Sequence, residues 1–132
     1  KYGRTIIVNR KEMRSRIDTM RKIGESVMNG ISVMIFPEGT TSKGPGILPF
    51  KKGTFNVAAE LNIPIIPCAI CYKDADHAWI GDDSFIPHFF RQMWKPISRV
   101  EVRFGDPISS NDFNVLKEET KLSITKMLSQ ME

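Results

Sequence analysis

Little in this sequence suits a membrane-spanning or metal-stabilised protein. No apolar run approaches the roughly 20 residues that a membrane-spanning helix needs, and no signal peptide is recognisable. The chain has only two cysteines and two histidines, and the histidines, His77 and His88, do not form the second closely spaced pair that would complete a zinc site. We therefore expect no bound metal, and we expect any membrane association to come from the surface of this domain or from a segment outside these residues.

The two cysteines, Cys68 and Cys71, form a Cys-x-x-Cys inside the apolar run at residues 63–72. If that run is a strand, the two side chains point to opposite faces, which suits neither a disulfide nor a pair of metal ligands. The pattern therefore predicts two small buried hydrophobic residues. Cysteines that form no disulfide are also typical of a protein in a reducing environment, on the cytoplasmic side of the membrane.

Composition points to one globular domain with an anionic partner. Of the 132 residues, 41% are hydrophobic and 26% are charged, as in ordinary globular domains. A net charge of +4 favours phosphorylated metabolites, coenzyme A, anionic lipid headgroups or nucleic acid. Basic and aromatic residues are not interleaved as nucleic-acid binding requires, so we expect no nucleic acid. The densest basic stretch, residues 10–22, reads as a solvated helix face.

The hydrophobic pattern alternates between strand and helix signals. Such alternation predicts an α/β fold with a mostly parallel sheet flanked by helices, in a single domain over residues 1–132. The last helix has Ser109, Ser110 or Asn111 available as its N-cap. In chain order, the predicted elements are a strand at 5–8, a helix at 13–27 stopped by Asn29-Gly30, a strand at 31–36, a helix at 53–61, strands at 63–72 and 100–104, and a helix at 113–131.

The segment Phe-Pro-Glu-Gly-Thr-Thr-Ser, residues 36–42, follows the second predicted strand. In open α/β sheets, ligands bind beyond the carboxyl ends of strands. Gly39 allows backbone N–H groups to approach an anion, because it has no Cβ. The segment is therefore either a phosphate-binding loop or a plain connection, and in the first case Glu38 accepts hydrogen bonds from an arginine or a substrate hydroxyl. Further donors and positive charges nearby are Thr40, Thr41, Ser42, Lys43, Lys51 and Lys52.

Four segments, taken in order, resemble the glycerolipid acyltransferases. Residues 36–42 are similar to the third sequence block of this family, and residues 3–10, an aliphatic run closing on Arg10, are similar to the second. The fourth block, Ile-Pro-Ile-Ile-Pro, matches residues 63–67, and Phe-Lys-Lys-Gly at residues 50–53 resembles the segment before the family's short helix. Order and spacing agree over the whole chain, which is more specific than any one block.

The resemblance implies two groups of binding residues. Those on the side of the glycerol phosphate acceptor are Arg10, Glu38, Gly39, Thr40, Ser42, Lys51 and Lys52. Those on the side of the acyl chain or acyl donor are Ile63, Pro64, Ile65 and Pro67, for which ordinary strand packing is an equal alternative. The family commonly has an arginine where this chain has Thr41. Either the acceptor differs, or its phosphate is contacted by Lys43, Lys51 or Lys52.

By the same resemblance, the parent protein transfers a fatty acyl group from acyl-CoA or acyl carrier protein. The acceptor is a hydroxyl of 1-acylglycerol 3-phosphate (lysophosphatidate) or glycerol 3-phosphate. No cofactor stays bound. The expected setting is phospholipid biosynthesis at the cytoplasmic face of a membrane, with the enzyme peripheral or anchored by a segment outside this chain.

The catalytic block of the family, His-x-x-x-x-Asp, is expected before the second block, and no histidine precedes Arg10. His77 and Asp82 have the right spacing, but they follow the fourth block, so they are only a minor alternative for the catalytic pair. Two interpretations remain open. The chain is the C-terminal portion of a longer acyltransferase and is inactive alone, or it is a non-catalytic relative that binds phosphate or lipid.

Overall fold

Three helices and one pair of strands form the regular structure of the part of the chain that the computed structural model describes. That part comprises residue 6 and residues 12–42, 46–72, 94, 97 and 99–131. The helices are α1 (Met13–Met28), α2 (Gly53–Glu60) and α3 (Phe113–Ser129). The strands are β1 (Cys68–Tyr72) and β2 (Val100–Phe104). All three helices were predicted from their periodicity, to within a few residues at each end.

Helix α1 ends where the sequence predicted. Asn29 is its C-cap and Gly30 follows in the left-handed conformation with φ +75°, the arrangement that glycine favours after a helix. Ile17 and Ile23 are apolar residues of α1 at helical spacing, but only Ile23 is buried, whereas Ile17 is 63% exposed. The buried face of α1 is therefore narrower than its apolar pattern predicts. Gly24 lets α1 lie close to α2, since a Cβ there would be 2.9 Å from Leu61 Cδ1.

The charged side of α1 is a solvated helix face, as predicted. Arg21 donates to Asp18 at 2.7 Å and also pairs with Glu25, and all three side chains are exposed. Lys22 lies 2.5 Å from Asp18 as well. The hydrogen bonds from Lys22 and then Arg21 lower the pKa of the Asp18 carboxyl. These cations are engaged with neighbouring carboxylates one turn away, so the face does not present a bare basic patch.

Helix α2 lies at the centre of the packing, because it contacts both α1 and α3. The core cluster joins Phe55, Ala58 and Ala59 of α2 to Leu116 of α3. Phe50 stacks on Phe55 with ring centroids 5.9 Å apart, within the usual range for aromatic pairs. The partly buried residues packed against this cluster are Phe50, Ile63, Ile65, Ile108 and Phe113.

The two strands pair antiparallel, with Cys68 opposite Phe104 and Tyr72 opposite Val100. The prediction of a mostly parallel sheet is not met in the described part of the chain. Residues 31–36, predicted as a buried strand, form no ladder there, and Phe36 is 68% exposed. An apolar run without a partner strand cannot form a ladder, however strand-like its composition. The predicted strand at residues 5–8 lies outside the described residues apart from Ile6.

The predicted strand at residues 63–72 is shorter than expected. It begins at Cys68, directly after Pro67, and before that Ile65 makes only an isolated antiparallel bridge with Ile108. Pro64 and Pro67 have no N–H to donate to a ladder. The Pro67 carbonyl still accepts a hydrogen bond of 2.9 Å from Gly105. The prolines therefore lie at the end of the paired strands, where the missing donors disrupt no ladder.

The cysteines occupy opposite faces of β1, as predicted. Cys68 is opposite Phe104 and Cys71 is opposite Glu101 in the register, three residues apart along the strand. Both are free thiols and both are half-buried. The Cys-x-x-Cys is therefore a feature of strand packing, not a disulfide.

The predicted N-cap of the last helix was wrong. Ser109, Ser110 and Asn111 all precede the true cap, Asp112, whose Oδ1 accepts a 2.7 Å hydrogen bond from the backbone N–H of Asn114. Ser110 accepts from the N–H of Asp112 at 3.1 Å and so supports the cap from outside. Serine, asparagine and aspartate are all good caps, so residue type alone could not select the position.

We expect Asp112→Ala to lower the free energy of unfolding by about 1 kcal/mol, because the first turn of α3 loses its side-chain acceptor. Urea unfolding followed by circular dichroism measures this change. Asn111→Ala is the matched control, since Asn111 is exposed and precedes the cap. An equal loss from both variants would contradict the capping role of Asp112.

Candidate functional site

The loop that begins at Phe36 turns sharply at Gly39. The N–H of Gly39 donates to the carbonyl of Phe36 at 3.1 Å, and Gly39 has φ +70°. A side chain is rarely tolerated in that left-handed region, whereas glycine adopts it without a steric penalty. Glycine at position 39 is thus required by the left-handed backbone conformation, in addition to the predicted close approach of an anion to the backbone N–H groups.

Two hydrogen bonds join the ends of this loop. Glu38 Oε2 accepts from the backbone N–H of Leu48 at 3.1 Å, across ten residues and in a partly buried setting. The N–H of Lys51 donates to the carbonyl of Pro37 at 2.9 Å. The sequence suggested an arginine or a substrate hydroxyl as a donor to Glu38; the structure adds the backbone amide of Leu48 as a donor, and the two suggested donors stay predictions.

The side chain of Lys51 lies against Gly39. A Cβ built on Gly39 would be 3.1 Å from both Cε and Nζ of Lys51. Lys52 comes next and is the N-cap of α2, with no side-chain capping bond. Within the described residues, neither lysine is recorded in an ion pair. One positive charge, that of Lys51, therefore lies directly beside the glycine of the loop.

A cavity of about 1300 Å³ connects this loop to apolar surface. It brings together most of the residues that the sequence singled out. On the acceptor side its lining includes Glu38, Thr40 and Ser42. On the acyl side it includes Ile63, Pro64, Ile65 and Pro67. Gly39, Lys51 and Lys52 are not in this lining and stand beside it.

The acyl-side residues divide by environment. Ile63 and Ile65 pack against the core cluster as well as lining the cavity, so ordinary packing and cavity lining coexist in them. Pro67 is almost fully buried, while Pro64 is exposed. Ile66, which belongs to the same sequence block, is 57% exposed and also lines the cavity.

Helix α3 contributes cavity residues that the sequence reasoning missed. Thr120, Ile124 and Leu128 line the cavity. Thr120 is 3% exposed, and its hydroxyl has no hydrogen-bond partner among the residues described. The helical periodicity had placed Thr120 and Ile124 on one face, but it gave no indication that this face meets the residues around the loop.

Several predicted site residues lie outside the described residues: Arg10, Lys43, His77 and Asp82. Their proposed roles stay predictions. Across the described ranges, no three His, Cys, Asp or Glu side chains come together in a way that could hold a metal ion. Of the helices described, none combines the length and the apolar character needed to cross a bilayer.

The loop brings polar side chains to a cavity whose lining is mostly apolar, an arrangement suited to an amphiphilic molecule. A family model described as Acyltransferase matches residues 1–71. The chain therefore belongs to the acyltransferase family, and its relatives place it among the glycerolipid O-acyltransferases, which are enzymes.

Three relatives illustrate the similarity. A chloroplastic 1-acyl-sn-glycerol-3-phosphate acyltransferase of Brassica napus is 41% identical over 63 residues, covering 48% of this chain and 18% of its own length. A lyso-ornithine lipid O-acyltransferase of Pseudomonas aeruginosa is 31% identical over 111 residues, covering 80% and 43%. The 1-acyl-sn-glycerol-3-phosphate acyltransferase alpha of Mus musculus is 34% identical over 107 residues, covering 80% and 34%.

The chain spans between 18% and 43% of the length of these three relatives. No solved structure matches it significantly. The family assignment thus rests on sequence similarity.

Proposed function

We propose that the full-length protein transfers a fatty acyl group from acyl-CoA or acyl carrier protein to a hydroxyl of 1-acylglycerol 3-phosphate, as a step of phospholipid biosynthesis. The observation that carries this proposal is the single cavity shared by Glu38, Thr40 and Ser42 with the apolar residues 63–67. An acceptor with a phosphate at one end and an acyl chain at the other needs both surfaces in one place. This chain supplies both.

The size and lining of the cavity support a lipid guest. Typical small-molecule sites measure roughly 300–1,000 Å³, and this cavity, at about 1300 Å³, exceeds that range. Most of its wall is aliphatic or aromatic, and four of its polar side chains, Glu38, Thr40, Thr41 and Ser42, lie together on the loop. An acyl chain buries apolar surface along such a wall while its headgroup stays at the loop.

We propose that a lysine side chain binds the anionic group of the acceptor. Thr41 stands where the family commonly has an arginine, so the bidentate donor is absent from that position. Lys51 supplies positive charge beside Gly39 instead, and Lys52 follows it in the chain as the N-cap of α2. Because relatives include enzymes named for lyso-ornithine lipid as well as for 1-acylglycerol 3-phosphate, a lyso-ornithine lipid is the second candidate acceptor.

The transfer itself is an attack on a thioester. The acceptor hydroxyl oxygen forms an ester bond with the acyl carbonyl carbon, the carbon–sulfur bond breaks, and the hydroxyl proton passes through a general base to the departing thiolate. A histidine held by a carboxylate is the expected base. We assign this role to no residue of the described part, whose contribution is to bind and orient the acceptor.

The proposal extends to the setting of the enzyme. We place it at the cytoplasmic face of a membrane, from which a lipid acceptor enters the cavity. We also propose that the sheet is mostly parallel, with residues 31–36 paired to a further strand. Met34 and Phe36 in this segment are each 68% exposed. Burial of such apolar side chains against a neighbouring segment is favourable, which supports the proposed pairing.

The test is an acyl-transfer assay on the full-length gene product with acyl-CoA and, in parallel, acyl-loaded acyl carrier protein as donor, in which the new ester is detected by mass spectrometry. We expect acylation of lysophosphatidate, with lyso-ornithine lipid as the parallel acceptor. Product from lyso-ornithine lipid alone would move the assignment to the second candidate. Binding of glycerol 3-phosphate by calorimetry, with no ester from either acceptor and either donor, would instead establish a non-catalytic binding protein.

A further inference from the structure

Glu38 presents a problem of charge. Its carboxylate lies in a loop that is proposed to receive an anion, and two negative groups repel each other. The structure gives the carboxylate a different partner, the backbone N–H of Leu48 at 3.1 Å. A hydrogen bond from an amide to an ionised carboxylate is a strong one. Glu38 can therefore contribute to the site indirectly, by fixing the position of the backbone at Leu48.

The Leu48 bond holds the segment that carries Lys51. Leu48 precedes Lys51 by three residues, and the N–H of Lys51 is itself bonded to the carbonyl of Pro37 at 2.9 Å. Residues 48–51 are thus attached at both ends to the pair Pro37–Glu38. Gly39 comes next in the chain, and that is where the Lys51 ammonium lies.

We infer that Glu38 is a positioning residue that closes the loop and so holds the Lys51 ammonium beside Gly39, where it meets the anion of the acceptor. This inference rests on the proposed function. Lys51 then takes the part that an arginine at position 41 would play, but from the far end of the loop. The structure favours Lys51 over Lys52 for this contact, because the Lys51 side chain lies against Gly39 and Lys52 is the N-cap of α2.

The competing role for Glu38 is direct contact with a substrate hydroxyl, since Glu38 also lines the cavity. The two roles require different chemical properties of the side chain at position 38. Loop closure needs an oxygen that accepts from Leu48, which a glutamine amide retains. A charge-dependent contact with substrate needs the carboxylate itself. Glu38→Gln therefore separates them, and Glu38→Ala removes both.

The experiment uses full-length protein with four variants: Glu38→Gln, Glu38→Ala, Lys51→Met and, as a charge-matched control, Lys126→Met, whose side chain is exposed on α3 outside the cavity lining. Hydrogen exchange at the Leu48 amide reports loop closure, and steady-state kinetics report KM and kcat for the acceptor. We expect Glu38→Ala to speed Leu48 exchange about tenfold or more and to raise KM about tenfold. Glu38→Gln should stay within about threefold of wild type in both.

Lys51→Met should raise the acceptor KM without changing Leu48 exchange, and Lys126→Met should change neither. A separate titration with inorganic phosphate, followed by the NMR shift of the Gly39 amide, needs no turnover. We expect a shift in the wild type that is lost in Lys51→Met and kept in Lys126→Met. This shift can be present even if no ester forms, so it distinguishes failure of the inference from failure of the proposed function.

Three results would overturn the inference. One is loss of transfer in Glu38→Gln while Leu48 stays protected, because the carboxylate would then act on the substrate. Another is normal Leu48 exchange in Glu38→Ala. The third is a phosphate response at Gly39 that is absent in the wild type or indifferent to Lys51.

Discussion

Replacing Leu116 with alanine is expected to lower the free energy of unfolding by about 2–5 kcal/mol. Leu116 is 0% exposed and is the contribution of α3 to the core cluster with Phe55, Ala58 and Ala59. Two of its three partners in that cluster are alanines, whose side chains cannot reach into a space left behind.

Leu122→Ala is the matched control, because it makes the same chemical change on the same helix at a side chain that is 71% exposed. We expect a change within about 0.5 kcal/mol there. Urea unfolding measured by circular dichroism gives both values under one set of conditions. Similar losses from the two variants would mean that the contact between α2 and α3 is not the core of this domain.

The helices could be predicted from the sequence because their signals are local. A stripe of apolar residues at steps of three and four, closed by Asn29-Gly30, defined α1 to within one residue at its end. Asn62, with φ +50°, marked the turn after α2 in the same way. The cap of α3 was misplaced because four consecutive residues were each capable of capping, and only the backbone geometry at Asp112 decides among them.

The sheet could not be predicted to the same degree, because strand pairing joins segments far apart in the chain. The strand composition of β1 and β2 was recognised, yet nothing in either segment states that they run antiparallel. Composition also could not show that residues 31–36 lack a partner within the described part of the chain. An apolar run gives the tendency to be buried, whereas a ladder needs a second strand in register.

The candidate site was also only partly predictable, because residue types are visible in the sequence and contacts between distant residues are not. The residue types of the loop at 36–42 identified the family and located one end of the cavity. The donor to Glu38 could not be predicted, because a backbone N–H such as that of Leu48 is present at every residue except proline and leaves no mark in the sequence. The position of Lys51 beside Gly39 was equally hidden, since it follows from the closure of the loop.

Gly39→Ala is expected to raise the KM for the acceptor about tenfold, through displacement of Lys51. The added methyl group would be 3.1 Å from Lys51 Cε and Nζ, so the end of the lysine side chain must shift by a few tenths of an ångström. The variant also places alanine at φ +70°, which costs about 1–2 kcal/mol of stability. A rise in KM by itself could therefore come from strain in the loop and needs a control that carries the same strain.

Gly30→Ala supplies that control, because Gly30 has φ +75° and a Cβ there would meet nothing within 4 Å. Both variants should lose about the same stability in urea unfolding, while only Gly39→Ala should raise KM. If Gly30→Ala raised KM equally, the effect would belong to general destabilisation. If Gly39→Ala left KM unchanged despite its loss of stability, the acceptor would not depend on where Lys51 lies. The pair thus separates the two requirements for glycine at position 39, the conformation of the turn and the space that the lysine occupies.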